Sequence, residues 1–345
     1  MIGFRVDANE KIATGHLMRC IALAEACREQ GEECAFFLAE DKETERLRVR
    51  GLPYRILGTK WERMEDEIPV IEQMLREERL DWLVVDSYQA TAAYLSHLQR
   101  KVPVLYIDDL RKEQYDVSVV LQYIAGEQQW INTPCSGAER PVYLQGFAYA
   151  PLRKEFAMLP DAGKRERSIL ITTGGTDAYN IAGRVLKHCQ CLTEYRDYLF
   201  HVIVGSMNHH EEELQKLAER NPHIRLHKNV TDIDTYMKRC EVALSAGGTT
   251  LLELCACQIP TVCVSFAENQ KSFARGMGEK GVMRYAGDAR ENGQIEKEIC
   301  RQLLFFMSDI NQRNFYAERM GNLVDGRGAE RIAAFLSENI RRKIV

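Results

Sequence analysis

The sequence predicts an α/β protein with two doubly wound, Rossmann-like domains that face each other across a cleft. The chain has 345 residues, which exceeds the needs of one ordinary hydrophobic core and suits about two domains. Short apolar runs alternate with helical segments in two successive series, which is typical of parallel sheets covered on both faces. A stretch rich in proline and glycine separates the two series, as expected of a domain linker.

The first series predicts an N-terminal domain over residues 1–150. Apolar residues recur at helical spacing in Leu17–Gln30, which predicts the first helix, and the charged, amphipathic segment Glu62–Arg79 predicts a solvated outer helix. Strands are expected at Ile2–Asp7, Cys34–Leu38, Tyr54–Leu57, Trp82–Asp86, Val104–Ile107, Val117–Leu121 and Val142–Leu144.

The second series predicts a C-terminal domain over residues 151–345, and the linker is expected within Pro141–Arg167. The sequence leaves open that the last helix packs back on the N-terminal domain. Strands are expected at Ile169–Thr173, His201–Val204, Ile224–His227, Val242–Ser245 and Thr261–Ser265. Helices are expected from Asn180, at Glu211–Arg220, Thr249–Cys257 and Ser272–Lys280, and from Ile295 onward.

Composition and charge exclude several classes of function. The chain is 45% hydrophobic and 28% charged, as in a globular protein, and its net charge of -4 provides no basic excess for general nucleic-acid binding. No signal segment and no run long enough to insert into a membrane is expected. The eleven cysteines lack the spacing of a metal site and indicate reduced thiols in a cytoplasmic protein. We therefore expect neither a metal nor a cofactor.

His16 is the candidate catalytic residue, because it stands where the first strand is followed by the first helix. The unpaired N–H groups of a helix start disfavour a positively charged ring. A neutral imidazole that can accept a proton is therefore predicted there. The alternative is a histidine that only packs or satisfies a backbone group.

Two glycine pairs in the second domain also stand where a strand is followed by a helix. In Thr173–Asp177 and Ser245–Glu253 the glycines allow close approach to the backbone, and threonines add hydroxyl groups beside free N–H groups. Each turn is a predicted phosphate cradle, although either alone also fits a plain tight turn. The carboxylate of Glu253, one turn along the helix, is predicted to bind a ribose diol. The predicted nucleotide-binding residues are Gly174, Gly175, Thr176, Gly247, Gly248, Thr249, Thr250 and Glu253.

Acidic residues follow the predicted strands of the first domain. Asp7, Asp86, Asp108 and Asp109 could bind polar groups of a substrate, orient His16 or cap loops. An arginine inside a buried strand needs an acidic partner or exposure at a sheet edge, so Arg5 is expected to pair with one of these aspartates or to lie at an edge.

Seven motifs, in order, resemble those of a known hydrolase family. They are Arg5-Val-Asp-Ala, Gly15-His-Leu-Met-Arg19, Asp86-Ser-Tyr88, Ile107-Asp-Asp109, Gly146-Phe-Ala-Tyr-Ala-Pro-Leu-Arg153, Gly174-Gly-Thr-Asp177 and Ser245-Ala-Gly-Gly-Thr249. They are similar to the PseG family, the UDP-2,4-diacetamido-2,4,6-trideoxy-β-L-altropyranose hydrolases of pseudaminic acid biosynthesis. Related spore-coat polysaccharide proteins share many of these motifs. One departure is Ser87, where a member of the family has a histidine, so contacts to the sugar are expected to differ.

This resemblance implies a fold like that of the GT-B glycosyltransferases, especially the MurG type, and a nucleotide-sugar hydrolase activity. It implies that His16 is the catalytic base and that the glycine pairs bind the nucleotide. It also assigns Glu268, Asn269 and Gln270 to sugar contact. Further substrate-binding residues are expected at Arg5, Asp7, Gly15, Asp86, Tyr88, Asp108 and Asp109.

The implied partner is a UDP-sugar, from which water activated by His16 releases UDP and free sugar. Two alternatives stay open. The first is a GT-B glycosyltransferase of cell-surface or spore-coat polysaccharide synthesis, and the second is a non-catalytic nucleotide-sugar sensor. The sequence leaves the oligomeric state open, a monomer included.

Overall fold

The computed structural model describes residues 1–9, 11–12, 14–110, 114–124, 141–158, 165–205 and 207–344. The chain forms two compact units, of which unit 1 comprises Met1–Lys154 with Gly326–Val345 and unit 2 comprises Glu155–Asp325. Each unit contains one sheet in which every strand pair is parallel. The predicted fold class of two doubly wound α/β domains is therefore confirmed.

Unit 1 alternates strands and helices from its first residues. Its elements are β1 Ile2–Val6, α1 Gly15–Glu29, β2 Cys34–Leu38, α2 Glu45–Arg48, β3 Tyr54–Ile56, α3 Ile68–Glu78, β4 Trp82–Asp86, α4 Ala92–Gln99, β5 Val104–Ile107, β6 Val119–Gln122 and β7 Val142–Gln145. Short 3-10 helices lie at Met64–Glu67, Phe147–Tyr149 and, at the boundary between the units, Lys154–Ala157.

The sheet of unit 1 has the strand order β3-β2-β1-β4-β5-β6-β7. Strands β1 and β4 are buried along their whole length, as expected for central strands of a sheet covered by helices. The order reverses between these two strands, and Val6 of β1 pairs with Asp86 of β4 at their carboxyl ends. In doubly wound sheets such a switch point forms a crevice where ligands bind.

Unit 2 repeats this organisation. Its elements are β8 Glu166–Thr172, α5 Ile181–Gln190, β9 Leu199–Val204, α6 Glu211–Arg220, β10 Ile224–Lys228, α7 Ile233–Arg239, β11 Cys240–Ala246, α8 Thr250–Ala256, β12 Thr261–Ser265, α9 Glu268–Glu279, β13 Arg284–Asp288, α10 Ile295–Ser308 and α11 Ile310–Leu323, with a 3-10 helix at Thr193–Tyr195. The strand order is β10-β9-β8-β11-β12-β13, so the switch point of this sheet lies between β8 and β11.

The last helix, α12 Gly328–Ile344, belongs to unit 1, where it packs against α1. Unit 2 therefore ends at Asp325, whereas the sequence prediction extended the second domain to residue 345 and left the position of the last helix open. The linker was predicted within 141–167, and the boundary between the units falls after Lys154. Pro160, Gly163 and Lys164 of that segment lie outside the described residues.

Candidate functional site

The first candidate site lies at the switch point of the sheet in unit 1. Helix α1 begins at Gly15, which is exposed, so His16 occupies the first helical turn as predicted. His16 Nδ1 lies 2.7 Å from Oδ1 of Asp86, the last residue of β4. Because an ionised carboxylate only accepts hydrogen bonds, Nδ1 carries the proton of this pair. The other ring nitrogen, Nε2, is left to accept a proton.

Arg19 completes this arrangement from the same face of α1, three residues after His16. Its Nε donates to Asp86 Oδ2 at 2.6 Å, and its Nη2 donates to Asp86 Oδ1 at 2.5 Å. Its Nη1 donates to Asp109 Oδ2 at 2.5 Å and also contacts the Tyr123 hydroxyl. One buried guanidinium therefore joins residues that follow three neighbouring strands, β4, β5 and β6.

The Asp86 carboxyl is ionised in this surrounding. Burial by itself would raise its pKa, but the charges of Arg19 and His16 and their hydrogen bonds outweigh this effect and hold the pKa well below its usual range. The thiol of Cys20 also lies 3.6 Å from Asp86 Oδ2, and burial raises the pKa of this thiol. Asp86 is therefore an anion held in a fixed position, and it orients the His16 ring.

Tyr88 and Asp109 extend the site towards solvent. The Tyr88 ring stands edge-on to the His16 ring, with 4.5 Å between the centroids, and its hydroxyl donates to Asp109 Oδ2 at 3.3 Å. Burial, followed by the charge of Asp109, raises the pKa of Tyr88 to about 12, so this hydroxyl remains a donor at neutral pH. Asp109 Oδ1 is buried and has no hydrogen-bond partner in the described part of the chain.

Arg5 and Asp7, which were predicted to bind substrate, are engaged in contacts with other protein groups. Arg5 is completely buried, and its Nε and Nη2 donate to the carboxylate of Glu67 at 2.6 and 2.7 Å. Its Nη1 donates to Asp7, whose other oxygen accepts the N–H of Ala39. These contacts supply the acidic partner that a buried Arg5 was expected to need, and they leave its guanidinium inside the core rather than in a substrate crevice.

Asp108 and Asp109 are neighbours in the chain with different surroundings. Asp108 is 1% exposed, and its carboxylate accepts the N–H of Leu110 and the side-chain amide of Gln122. This is the loop-capping role that was one of the alternatives for such residues. Of the four strand-end aspartates, Asp86 and Asp109 lie in the His16 cluster, whereas Asp7 and Asp108 each bind one backbone N–H group and one side chain elsewhere.

The second candidate site lies at the switch point of the sheet in unit 2. Gly174 and Gly175 follow β8, and Gly247 and Gly248 follow β11, the neighbouring strand. The structure thus brings the two predicted glycine turns to the same edge of one sheet. Gly174 has φ +82°, a conformation that favours glycine.

The four glycines are not equivalent. A Cβ on Gly247 would lie 2.8 Å from Ala274 Cβ and 3.2 Å from Gln270 O, so this glycine allows α9 to pack against the turn. A Cβ on Gly248 would meet nothing within 4 Å. In the described part of the chain, the N–H groups of Gly248 and Thr249 have no acceptor. We therefore expect the predicted anion cradle to be centred on these two residues, whereas the space beside Gly247 is taken up by packing.

The turn after β8 uses its helix start differently. Asp177 is buried and accepts the N–H groups of Ile181 and Ala182 at 2.8 and 3.0 Å. These first amides of α5 are therefore occupied by a side chain. Exposed backbone for a ligand is left at Gly174 and Gly175, ahead of the helix.

The remaining residues predicted in unit 2 lie on α8 and α9. Thr250 begins α8, and Glu253 is half-buried in its first turn. Glu268 is 82% exposed and forms an ion pair with Arg290 at 2.8 Å. Gln270 accepts the N–H of Phe266 at 3.2 Å, a local contact at the start of α9. Asn269 lies in the first turn of α9, and its side chain is outside the described ones.

Sequence reasoning missed several residues of both sites. Arg19 and Tyr123 were not assigned a role, although an arginine three residues after His16 on a helix signals a shared face. In unit 2, the rings of Tyr179 and Phe266 lie 6.4 Å apart, and Tyr179 is 38% exposed. These residues follow β8 and β12, the strands on either side of β11.

The described residues form neither a metal-ligand cluster nor a membrane-spanning helix. No group of three or more histidine, cysteine, aspartate or glutamate side chains there could hold a metal ion. In the same residues, no helix combines the length and apolar character needed to cross a bilayer.

Comparison with known proteins connects both units to glycosyltransferases and their relatives. Residues 168–315, which lie within unit 2, match the glycosyltransferase family 28 C-terminal domain. The spore coat polysaccharide biosynthesis protein SpsG of Bacillus subtilis is 23% identical over 99% of this chain and 99% of its own length.

A further relative is the pseudaminic acid cytidylyltransferase and UDP-2,4-diacetamido-2,4,6-trideoxy-beta-L-altropyranose hydrolase of Helicobacter pylori. It is 26% identical, but the match covers 45% of this chain and 29% of that protein, so the hydrolase family stays a prediction. The crystal structure of Acinetobacter baumannii MurG superposes with a TM-score of 0.66 at 13% identity, covering 98% of this chain and 99% of MurG. The chain therefore shares the GT-B glycosyltransferase fold, as the sequence resemblance implied.

Proposed function

We propose that the protein hydrolyses a UDP-activated deoxyamino sugar at the anomeric carbon and releases UDP and the free sugar. The observation that carries this proposal is the hydrogen bond between His16 Nδ1 and the ionised Asp86. It fixes the ring with Nε2 as the proton acceptor, which a general base requires. The position at a sheet switch point supports the same role.

The reaction follows from these groups. A water molecule attacks the anomeric carbon while Nε2 of His16 takes its proton, and the bond from this carbon to the phosphate oxygen breaks. The electron pair of that bond leaves with UDP. Backbone donors such as the N–H groups of Gly248 and Thr249 are suited to stabilise the charge that develops on the phosphate.

The nucleotide is assigned to unit 2. Two glycine turns at one switch point support phosphate binding there, with exposed backbone at Gly174 and, at Gly248, an N–H group that has no acceptor among the described residues. The match to a glycosyltransferase C-terminal domain over the same residues supports it independently. The sugar class rests on the sequence resemblance and on the partial match to the pseudaminic acid enzyme.

A glycosyltransferase is the second candidate, because the family match in unit 2 is to a transferase domain. The pair of His16 and Asp86 could equally deprotonate a hydroxyl group of an acceptor. The two candidates therefore differ in the acceptor, water or a second hydroxyl compound, and not in the nucleotide site.

His16→Asn is the direct test of the proposed base. The change removes the basic nitrogen, and we expect UDP release from a UDP-deoxyamino sugar to fall about a hundredfold to ten-thousandfold. UDP affinity measured by calorimetry should stay the same, because the substitution lies outside unit 2. An undiminished rate of UDP release in the variant would show that His16 is not the base.

The wild-type assay in oxygen-18-labelled water separates the candidate functions. Hydrolysis at the anomeric carbon places the label in the free sugar without any acceptor. Label in UDP would instead indicate attack at phosphorus and contradict the proposed bond cleavage. Turnover that requires an added hydroxyl acceptor would indicate a transferase, and tight binding without turnover would indicate a sensor.

A further inference from the structure

Arg19 and Asp109 form a buried charged group behind the pair of His16 and Asp86. We infer that both are positioning residues of the reaction, Arg19 by fixing Asp86 and Asp109 by supplying the counter-charge for a protonated His16. This inference rests on the proposed function, since it concerns the same base. Neither residue has to touch the substrate for it to hold.

Arg19 holds Asp86 in one orientation. Its fork donates to both carboxylate oxygens of Asp86, at 2.6 and 2.5 Å, and the oxygen at 2.5 Å is also the one that accepts His16 Nδ1. A bidentate contact of this kind fixes the carboxylate plane as well as its position. The direction of the His16 ring is therefore determined by Arg19 through Asp86.

The same contacts determine where a transferred proton stays. With a guanidinium on both of its oxygens, Asp86 remains ionised and does not take the second ring proton from His16. A proton that Nε2 accepts from water therefore remains on the imidazole, which becomes a cation.

The charges of the group balance in that protonated state. Asp86 and Asp109 contribute two negative charges and Arg19 one positive charge, so the group carries one negative charge while His16 is neutral and none once His16 is protonated. The four side chains are 0% (Asp86), 6% (Asp109), 9% (Arg19) and 12% (His16) exposed, so water screens these charges little.

In the described part of the chain, the other titratable groups that contact the cluster add no charge near neutral pH. Tyr88 packs on the His16 ring, Tyr123 contacts Arg19, and Cys20 contacts Asp86. Burial raises the pKa of all three. Among the described residues Asp109 is therefore the carboxylate in excess, and its Oδ1 has no hydrogen-bond partner there.

Two substitutions with opposite effects on charge test the inference. Asp109→Asn removes the excess negative charge, so we expect the acid limb of the pH profile of kcat/KM to move to lower pH. Arg19→Met removes the positive charge, so the limb should move to higher pH while kcat falls because Asp86 loses its orientation. Each shift should reach at least about half a pH unit. Arg19→Lys keeps the positive charge without the bidentate contact of the guanidinium to Asp86. This variant should return the acid limb of kcat/KM to its wild-type pH but should not restore the full kcat.

The control is Arg48→Met, which removes a 62%-exposed arginine of unit 1 that pairs with Glu45. It should move neither the limb nor kcat. Shifts in the same direction for Asp109→Asn and Arg19→Met, or no shift in either, would overturn the inference and leave the His16→Asn result standing. A general loss of folding would not produce shifts of opposite sign.

Nitrogen-15 NMR of histidine-labelled full-length protein tests Arg19 without any substrate. In the wild type and in Arg48→Met we expect the neutral His16 ring to carry its proton on Nδ1. In Arg19→Met a mixture of the two tautomers should replace this single form. If the wild-type enzyme hydrolyses no UDP-sugar, the proposed function fails, and an unchanged tautomer in Arg19→Met would separately overturn the role of Arg19.

Discussion

Gly247 and Gly248 are neighbours in the chain that depend on glycine for different reasons. The space beside Gly247 is filled by Ala274 and Gln270 of α9, whereas the space beside Gly248 is open. A Cβ at the first position would therefore collide with the protein, and a Cβ at the second would collide only with a ligand. This difference predicts a packing role for Gly247 and a binding role for Gly248.

Alanine at each position should give opposite results. We expect Gly247→Ala to lower the free energy of unfolding by about 1–3 kcal/mol, because a rigid Cβ contact must be relieved. We expect Gly248→Ala to leave stability nearly unchanged and to weaken UDP binding at least about tenfold, since its methyl group occupies the phosphate space. Denaturant unfolding and calorimetry with UDP measure the two effects. Wild-type UDP affinity in Gly248→Ala would show that the phosphates bind elsewhere.

Single residues of the first site could be predicted only in part. His16 could be placed from sequence, because the end of a buried strand and the start of a helical pattern locate the first turn of α1. The partner of His16 could not be chosen, because four aspartates end strands at the same edge and only the three-dimensional structure shows that Asp86 reaches Nδ1. For Arg5 an acidic partner was expected among the strand-end aspartates, and nothing in the sequence links it to Glu67, 62 residues later.

At the scale of elements, neighbouring strands β9 and β10 bring two histidines into contact. His201 Nδ1 lies 2.9 Å from His227 Nε2, and Tyr236 of α7 contacts the other nitrogen of His227 at 3.2 Å. In the strand register His201 pairs with Arg225. Burial, followed by the charges of His227 and two arginines, lowers the pKa of His201 from 6.5 to about 4.

This strand pair should make unit 2 sensitive to acid. The folded state keeps His201 neutral down to about pH 4, whereas the unfolded chain binds this proton near pH 6.5. The free energy of unfolding should therefore fall as the pH falls from 6.5 to 4, by on the order of 2 kcal/mol, and this contribution should level off below that range. His201→Gln should flatten the dependence in denaturant titrations across this range.

His209→Gln, which removes an exposed histidine of the same unit, is the matched control and should keep the wild-type slope. Equal slopes for wild type and His201→Gln would mean that the histidine pair does not resist protonation in the folded protein.

The success of element prediction depended on burial. Strand β4 and strand β12 were placed to the residue, because both are buried along their length and contain at least three consecutive apolar residues. Strand β13 was missed, because an edge strand with the sequence Arg-Tyr-Ala-Gly-Asp carries no such run. Helix α4 was not placed either, although Thr91 caps it by accepting the N–H of Tyr94, a start signal that the sequence does contain.

At the scale of the whole molecule, the chain passes between the units twice, after Lys154 and again after Asp325. The sequence pattern shows that α12 has an apolar face but not which core receives it. In the structure this face contributes Ile332, Leu336 and Ile340 to unit 1, and Phe335 packs near Trp82 of β4. Amphipathic spacing predicts that one face of a helix is buried. It does not identify the core that buries this face, because the contacting residues lie hundreds of positions away in the chain.

Leu336→Ala tests the assignment of α12 to the core of unit 1. The side chain is completely buried, so its truncation should cost about 2–5 kcal/mol of stability. Unit 2, Glu155–Asp325, contains no tryptophan in its sequence, whereas Trp61 and Trp82 lie in unit 1, so tryptophan fluorescence reports the unfolding of unit 1. We expect the fluorescence transition of Leu336→Ala to move to lower denaturant concentration, while UDP binding under native conditions is retained.

Leu303→Ala truncates an equally buried leucine of α10 in unit 2 and should move this transition less. A fluorescence transition unaffected by Leu336→Ala would contradict the packing of α12 in unit 1, because a buried leucine cannot be truncated without a measurable loss of stability in the core that holds it.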